Sequence, residues 1–202
     1  MVIEHEGVKI LTDPGNYTVE AQQKVTDLDA IVITHEHQDH YHLESIKKLV
    51  AMNPGVAVVT NSGVGKLLSA ENIAHTVVGD GQSTAIKNLS IEGFGRDHAP
   101  IYGEFGRVEN TAFLIGGKFY FPGDNFHTPG KPVEVLALPV AGPWMKISEA
   151  VDFAKLAGAR IAFGVHDGMI MPSFRAFVGV ILKNVLPETE YIVLEDGATR
   201  EY

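Results

Sequence analysis

Short apolar runs rich in Val and Ile punctuate the whole chain, and they constrain the fold more than any other feature. They are Val8–Leu11, Ala30–Ile33, Val56–Val59, Leu89–Ile91, Thr111–Ile115, Lys118–Phe121, Val135–Val140, Ile161–Val165 and Tyr191–Leu194. Each is bounded by Gly, Pro, Asp or Asn, so each reads as a strand. Gly116-Gly117 between two of them reads as a hairpin turn. Helical patterns interleave. His42–Met52 carries Leu43, Ile46, Leu49 and Val50 at helical spacing, with Pro54 as a stop. Gly63–Ser69 reads as a shorter helix. Ser148–Ala157 has Ser148 as a cap and ends before Gly158. Ser173–Leu186 also opens on Ser, carries Phe174, Phe177, Val178, Ile181 and Leu182, and stops at Pro187. The strands read as a run that comes first and then alternates with helices. That order predicts an α/β fold of two sheets packed face to face with helices outside, not a purely parallel doubly wound sheet. There is no internal repeat, low-complexity tract or linker, so residues 1–202 read as one domain.

Composition narrows the function classes. With 45% hydrophobic and 20% charged residues, the usage is ordinary for a globular chain. A formal net charge of -9 leaves no footprint for non-specific binding to a phosphate backbone, so no nucleic-acid partner is expected. No dense Lys/Arg run faces an anionic membrane, and no apolar run approaches the roughly 20 residues of a spanning helix. The chain has no Cys, which excludes a disulfide framework, thiolate zinc sites and Cys nucleophiles. Met1–Lys9 lacks a basic segment followed by an apolar stretch, so the expected location is cytoplasmic.

The chemistry concentrates in Thr34-His35-Glu36-His37-Gln38-Asp39-His40, directly after the strand Ala30–Ile33. In extended backbone, residues two apart point to the same side, so His35 and His37 can chelate one ion. Asp39 and His40 are adjacent and in a turn can swing toward a second. Imidazoles suit zinc, iron and manganese, and carboxylate adds charge neutralisation. The chain has nine His in all, and three fall within this segment beside an Asp, which a merely solvated loop does not explain. His98, Asp124 and His166 each lie at or just past the end of an apolar run. Taken singly, each has a plainer explanation: a surface-loop His, a turn-forming Asp and a capped core His. If their strand ends share one rim, the residues converge.

In order and spacing, this set resembles the metallo-β-lactamase superfamily. The match is His35-x-His37-x-Asp39-His40, then His98, then Phe121-Pro122-Gly123-Asp124, then His166, with Val8–Leu11 and Thr12-Asp13-Pro14-Gly15 similar to the early strand and turn. Phe121–Asp124, Leu138-Pro139 and Ser148–Ala157 look most like the ascorbate-phosphate-lactonase-like metal-dependent hydrolases. The resemblance implies a four-layered αββα sandwich. It implies that His35, His37 and His98 hold one divalent metal ion, that Asp39, His40 and His166 hold a second, and that Asp124 bridges them. Zinc is the first expectation, with manganese and iron open. Two such ions acidify a bridging water and polarise a carbonyl or phosphoryl oxygen, and Asp39 is the candidate to orient or deprotonate that water. The expected substrate is a small anionic metabolite such as a lactone or a phosphodiester, and a homo-oligomer is possible. Val8–Leu11 looks like the family's second strand with no first strand ahead of it, which predicts a shorter first sheet.

Two other classes compete. An iron redox enzyme on the same fold resembles a pattern with Glu in place of His37. A non-catalytic metal-binding protein would have lost one or more ligand residues, and here all are present. Thr34 and Asp13 are candidates to orient ligating rings, with Asp13 equally readable as a turn residue. His127 reads as a surface His, and His5 and His75 as structural or exposed. Trp144 and Lys146 read as a loop that could line the pocket, or as an anchor and a surface charge. Tyr102 and Arg96 flank His98 as possible substrate contacts. Asp167-Gly168 and Met169–Met171 could form a pocket wall or a rim.

Overall fold

The computed structural model describes residues 1–202. In chain order the first half gives β1 (Val2–His5), β2 (Val8–Thr12), α1 (Val19–Gln22), β3 (Ala30–Ile33), α2 (Leu43–Met52), β4 (Ala57–Thr60), α3 (Ser62–Ala70) and β5 (Thr76–Val77). These strands form a five-stranded sheet in sequence order, with β1 and β2 antiparallel and the others parallel. The second half gives β6 (Ser83–Ile86), β7 (Leu89–Phe94), β8 (Ala112–Ile115), β9 (Phe119–Phe121), β10 (Val135–Pro139), α4 (Ile147–Ala157), β11 (Ile161–Val165), α5 (Pro172–Val185) and β12 (Glu190–Ile192). They form a seven-stranded sheet of order β12-β11-β10-β9-β8-β7-β6. In it β6 to β9 make an antiparallel meander, and β9 to β12 run parallel.

Strand alternation builds the layers. Val8 and Ile10 of β2 and Ala30 and Val32 of β3 face inward, onto Leu89, Ile91, Phe113 and Ile115 of the second sheet. Their neighbours Leu11, Ile31 and Ile33 point the other way and pack with Ile46, Leu49, Val64 and Leu68 of α2 and α3. On the far side, Leu114, Tyr120, Leu136, Leu138 and Ala162 pack with Ala150, Phe153 and Val178 of α4 and α5. Both faces of each sheet are therefore covered, giving the expected αββα sandwich. No helix is long and apolar enough to cross a membrane.

Several local readings change. The uninterrupted run of strands lies in the middle of the chain, not at its start, because parallel neighbours need crossovers and α1, α2 and α3 supply them early. A strand does precede Val8–Leu11: β1 pairs with β2 through Val2↔Leu11 to His5↔Val8. It alternates exposed and half-buried residues at a sheet edge, which leaves no apolar run to read. β5 and β6 escape the sequence pattern for the same reason. Ser148 and Ser173 are not caps. α4 starts one residue earlier, with the Glu149 carboxylate accepting from the Lys146 N–H at 2.6 Å. α5 opens on Pro172, which needs no N–H partner in the first turn. The hairpin turn between β8 and β9 is as read: Gly116 and Gly117 have φ of 60° and 66° and supply its left-handed positions, with Lys118 completing a three-residue connection from Ile115 to Phe119.

Candidate metal centre

Topology brings the polar residues to one rim. β2, β3 and β4 run parallel, so Asp13, Thr34 and Asn61 follow their C-terminal ends side by side. In the other sheet β7, β9, β10 and β11 share a direction, because β8 is antiparallel to both β7 and β9. His98, Asp124, Trp144 and His166 therefore leave the same edge of that sheet. A backbone bond locks the rims together, Thr111 N–H donating to Thr34 O at 3.0 Å, and within the second rim Ala99 N–H donates to Asp124 O at 2.9 Å. Asn61 Nδ2 spans the seam, donating to Thr34 O at 2.7 Å and to Glu109 O at 3.1 Å.

All seven residues singled out in the sequence meet there. Side-chain atoms of His35, His37 and His98 that could ligate a metal form one group, and those of Asp39, His40 and His166 form a second, with the atoms of each group within 4.8 Å of one another. Asp124 lies between the groups. Its Oδ1 is 3.2 Å from His40 Nε2, and its Oδ2 is 3.4 Å from His98 Nε2 and 3.1 Å from His166 Nε2. Tetrahedral ligands about 2.0–2.1 Å from a metal stand roughly 3.3 Å apart. These separations suit ligand atoms sharing an ion.

Hydrogen bonds fix which nitrogen each ring presents. Thr34 donates its N–H to Asp13 Oδ1 at 2.8 Å and its hydroxyl to Asp13 Oδ2 at 2.7 Å. With its proton so committed, Thr34 Oγ1 can only accept at His35 Nδ1, 3.0 Å away, so that nitrogen carries the ring proton. His40 Nδ1–H donates to Asp13 Oδ2 at 2.6 Å, and His98 Nδ1–H donates to the Ala99 carbonyl. The Nε2 atoms of His35, His40 and His98 are left buried with no hydrogen-bond partner, as is Asp124 Oδ1. Buried polar atoms are costly to leave unpaired, and a cation in each group would satisfy all four. Asp13 also falls in a possible ligand group with His35 and His40. Its two oxygens already accept from Thr34 and His40, so it orients rings. His166 differs: its Nδ1 is the unpartnered nitrogen, while Nε2 lies 3.2 Å from Asp39 Oδ2.

The charges are mutually stabilised. Burial lowers the pKa of His35 far below its ordinary value, and the neighbouring imidazoles of His40, His98 and His37 add to this. Burial and His98 also lower His37. Burial would lower His40 too, but the carboxylates of Asp124 and Asp13 outweigh it and raise the ring well above its ordinary value. For His166 the same contest, against Asp124 and Asp39, pushes the pKa up to about 9. Burial would raise Asp39 and Asp124, yet His166 and His40 hold the first, and His40, His166 and His98 the second, well below the usual carboxylate range.

Residues beyond those seven also shape the centre. Trp144 is buried and donates Nε1–H to Asp124 Oδ2 at 2.7 Å, with its ring against Phe126. It is both an anchor and part of the site. Asn110 accepts from Asp124 N–H and donates to Pro122 O, both at 3.0 Å, and no local pattern announces it. Gly15 packs so closely on the His loop that a Cβ would stand 1.7 Å from Asp39 O. Asp13 and His166 hold positive φ of 42° and 61°, the kind of backbone strain that clusters at functional sites. Asp167 pairs with Arg175 Nε at 2.9 Å and ties the His166 loop to α5. His127, Lys146, Tyr102 and Arg96 are exposed. His5 and His75 are half-buried and lie outside it.

The chain is similar to several known proteins. Protein Rv0786c of Mycobacterium tuberculosis is 32% identical over 180 residues, covering 87% of this chain and 83% of its own length. N-acyl-phosphatidylethanolamine-hydrolyzing phospholipase D 1 of Caenorhabditis elegans is 26% identical, over 83% of this chain and 61% of its own length. Igni18, a metallo hydrolase from the archaeon Ignicoccus hospitalis, superposes with a TM-score of 0.78 at 20% identity, over 98% of this chain and 91% of that one. Residues 1–166 match the Beta-lactamase superfamily domain, a span that includes every residue of the centre, and the chain belongs to that superfamily, with the metallo-β-lactamase fold.

Proposed function

We propose that residues 1–202 form one binuclear metal-dependent hydrolase acting on a small substrate. The observation that carries this is the set of buried, unpartnered Nε2 atoms on His35, His40 and His98 around Asp124, with Nδ1 of each ring fixed by a second bond. In this reading His35, His37 and His98 would hold one cation and Asp39, His40 and His166 the other, with the Asp124 carboxylate available to both. Zinc is the first metal to test, because the first group is all imidazole. Bound divalent ions would supply Lewis acidity and a more acidic water.

The chain's own groups do the positioning. Asp39 is the proposed catalytic carboxylate. Held in its ionised form by His166 and His40, it accepts a hydrogen bond from the attacking water and orients it. Trp144 and Asn110 keep Asp124 in place. Asp13 and Thr34 set the tautomers of His40 and His35. An anionic substrate is the favoured class, with Lys146 on the Trp144 loop as its candidate contact. A phosphodiester comes before a lactone in the order of testing, since one relative is a phospholipase D.

The test is turnover. Protein loaded with zinc, manganese or iron is assayed on lactones and phosphodiesters. Asp39→Asn should lower kcat by about 10²- to 10⁴-fold. Metal-loaded protein that hydrolyses neither class with any of these ions would overturn the hydrolase reading.

A further inference from the structure

α5 carries an apolar stripe that nothing in the chain covers. Phe174, Phe177, Ile181 and Val185 follow one another at spacings of three, four and four, which sets them along one flank of the helix. The adjoining flank, with Val178 and Leu182, packs into the core. Exposure along and beside the stripe is high: Met171 73%, Phe174 47%, Phe177 55%, Val180 57% and Val185 36%. The two Phe rings lie 6.2 Å apart and form a continuous surface. At about 200 Å² for a fully exposed large side chain, the patch amounts to roughly 500 Å². That is near the upper end for a single apolar patch on a monomer, about 300–600 Å².

The area and the charge distribution select the occupant. Two such patches pressed together would remove roughly 1,000 Å², the threshold for a specific protein–protein interface. The chain has 25 acidic residues, yet none lies between Met169 and Asn184. Copies carrying a net charge of -9 repel each other over most of their surface, and this face lacks the carboxylates that would oppose contact. An anionic lipid surface is disfavoured, because Lys183 is the only free cation on the helix and Arg175 is engaged by Asp167 and Asp196. We propose that a second copy of this chain covers the stripe, α5 against α5 about a two-fold axis, in an isologous dimer. The inference does not depend on the metal centre.

The experiment is sedimentation velocity on the full chain at micromolar concentration. Wild type should sediment at twice the 21.9 kDa chain mass, and Phe177→Glu at the single-chain mass with an unchanged circular dichroism spectrum. The chain has no Cys, so single-Cys variants report contact cleanly. Phe177→Cys should form a disulfide-linked dimer on oxidation. Leu156→Cys, on the exposed face of α4, should not. A monomeric wild type would overturn the proposal, whether or not the protein floats with neutral lipid vesicles. So would a dimer that survives Phe177→Glu, or equal crosslinking of the two Cys variants.

Discussion

Replacing Asp13 with Asn tests how the centre is held without touching a proposed ligand. Asp13 accepts from Thr34 N–H at 2.8 Å, Thr34 O–H at 2.7 Å and His40 Nδ1–H at 2.6 Å. Asn is nearly isosteric and tolerates the positive φ of 42°, so the backbone stays in place. Its amide, however, presents NH₂ at one of the two accepting positions. In either orientation a buried donor then faces a donor. An unsatisfied buried donor costs about 1–3 kcal/mol. At roughly 2–4 °C per kcal/mol for a chain of this size, a cost near 2 kcal/mol lowers the melting midpoint by about 4–8 °C. His40 also loses the bond that fixes its tautomer, which should weaken metal binding about 10- to 100-fold. Chelator competition reads the affinity, and elemental analysis the stoichiometry. The expected result is weaker binding at unchanged stoichiometry. Loss of one whole equivalent would make Asp13 a ligand, and unchanged affinity and midpoint would refute the orienting role outright.

Trp144→Phe keeps the ring packing but removes the donor to Asp124 Oδ2, so metal affinity should fall by roughly tenfold with the fold intact. Because Trp144 is the only Trp, with its ring 6.0 Å from that of His98, its fluorescence should also change on metal titration of the wild type, and an unresponsive signal would count against the site. Gly15→Ala should abolish or sharply reduce soluble protein, since the added Cβ would meet Asp39 O at 1.7 Å. A variant of wild-type stability would show that the loop yields. In metal-free protein His166 has its pKa raised from 6.5 to about 9, so its stabilising contribution is fully present below about pH 6.5 and is lost as pH rises through 9. Between those values it adds a slope near -1.4 kcal/mol per pH unit. Metal uptake at neutral pH should therefore release protons, visible as a buffer-dependent heat in calorimetry, and a buffer-independent heat would contradict the assignment.

Much of this was legible in the sequence because it is local. A strand end followed by His-x-His puts His35 and His37 on one side through backbone periodicity, the resemblance to the superfamily supplies the other five candidate ligands, and Pro122-Gly123-Asp124 is a readable strand exit. The parts that could not be read depend on contacts distant in sequence. Asn110 reaches Asp124 across 14 residues, and Asn61 reaches Thr34 across 27. Trp144 could be an anchor or a site residue until its Nε1 was placed against Asp124. The edge strands β1 and β6 are half-solvated, so neither shows a run of apolar residues. The helix starts were misplaced because Ser signals a cap only statistically, and at α4 a carboxylate and at α5 a proline took that part.

The most direct test of the central claim is elemental analysis of wild-type protein beside Asp124→Ala, both purified without added metal and then titrated. Two cations sharing Asp124 predict about two metal equivalents per chain in the wild type and a sharp fall in the variant. A wild type that neither carries nor takes up metal, or a variant that keeps both equivalents, would contradict it.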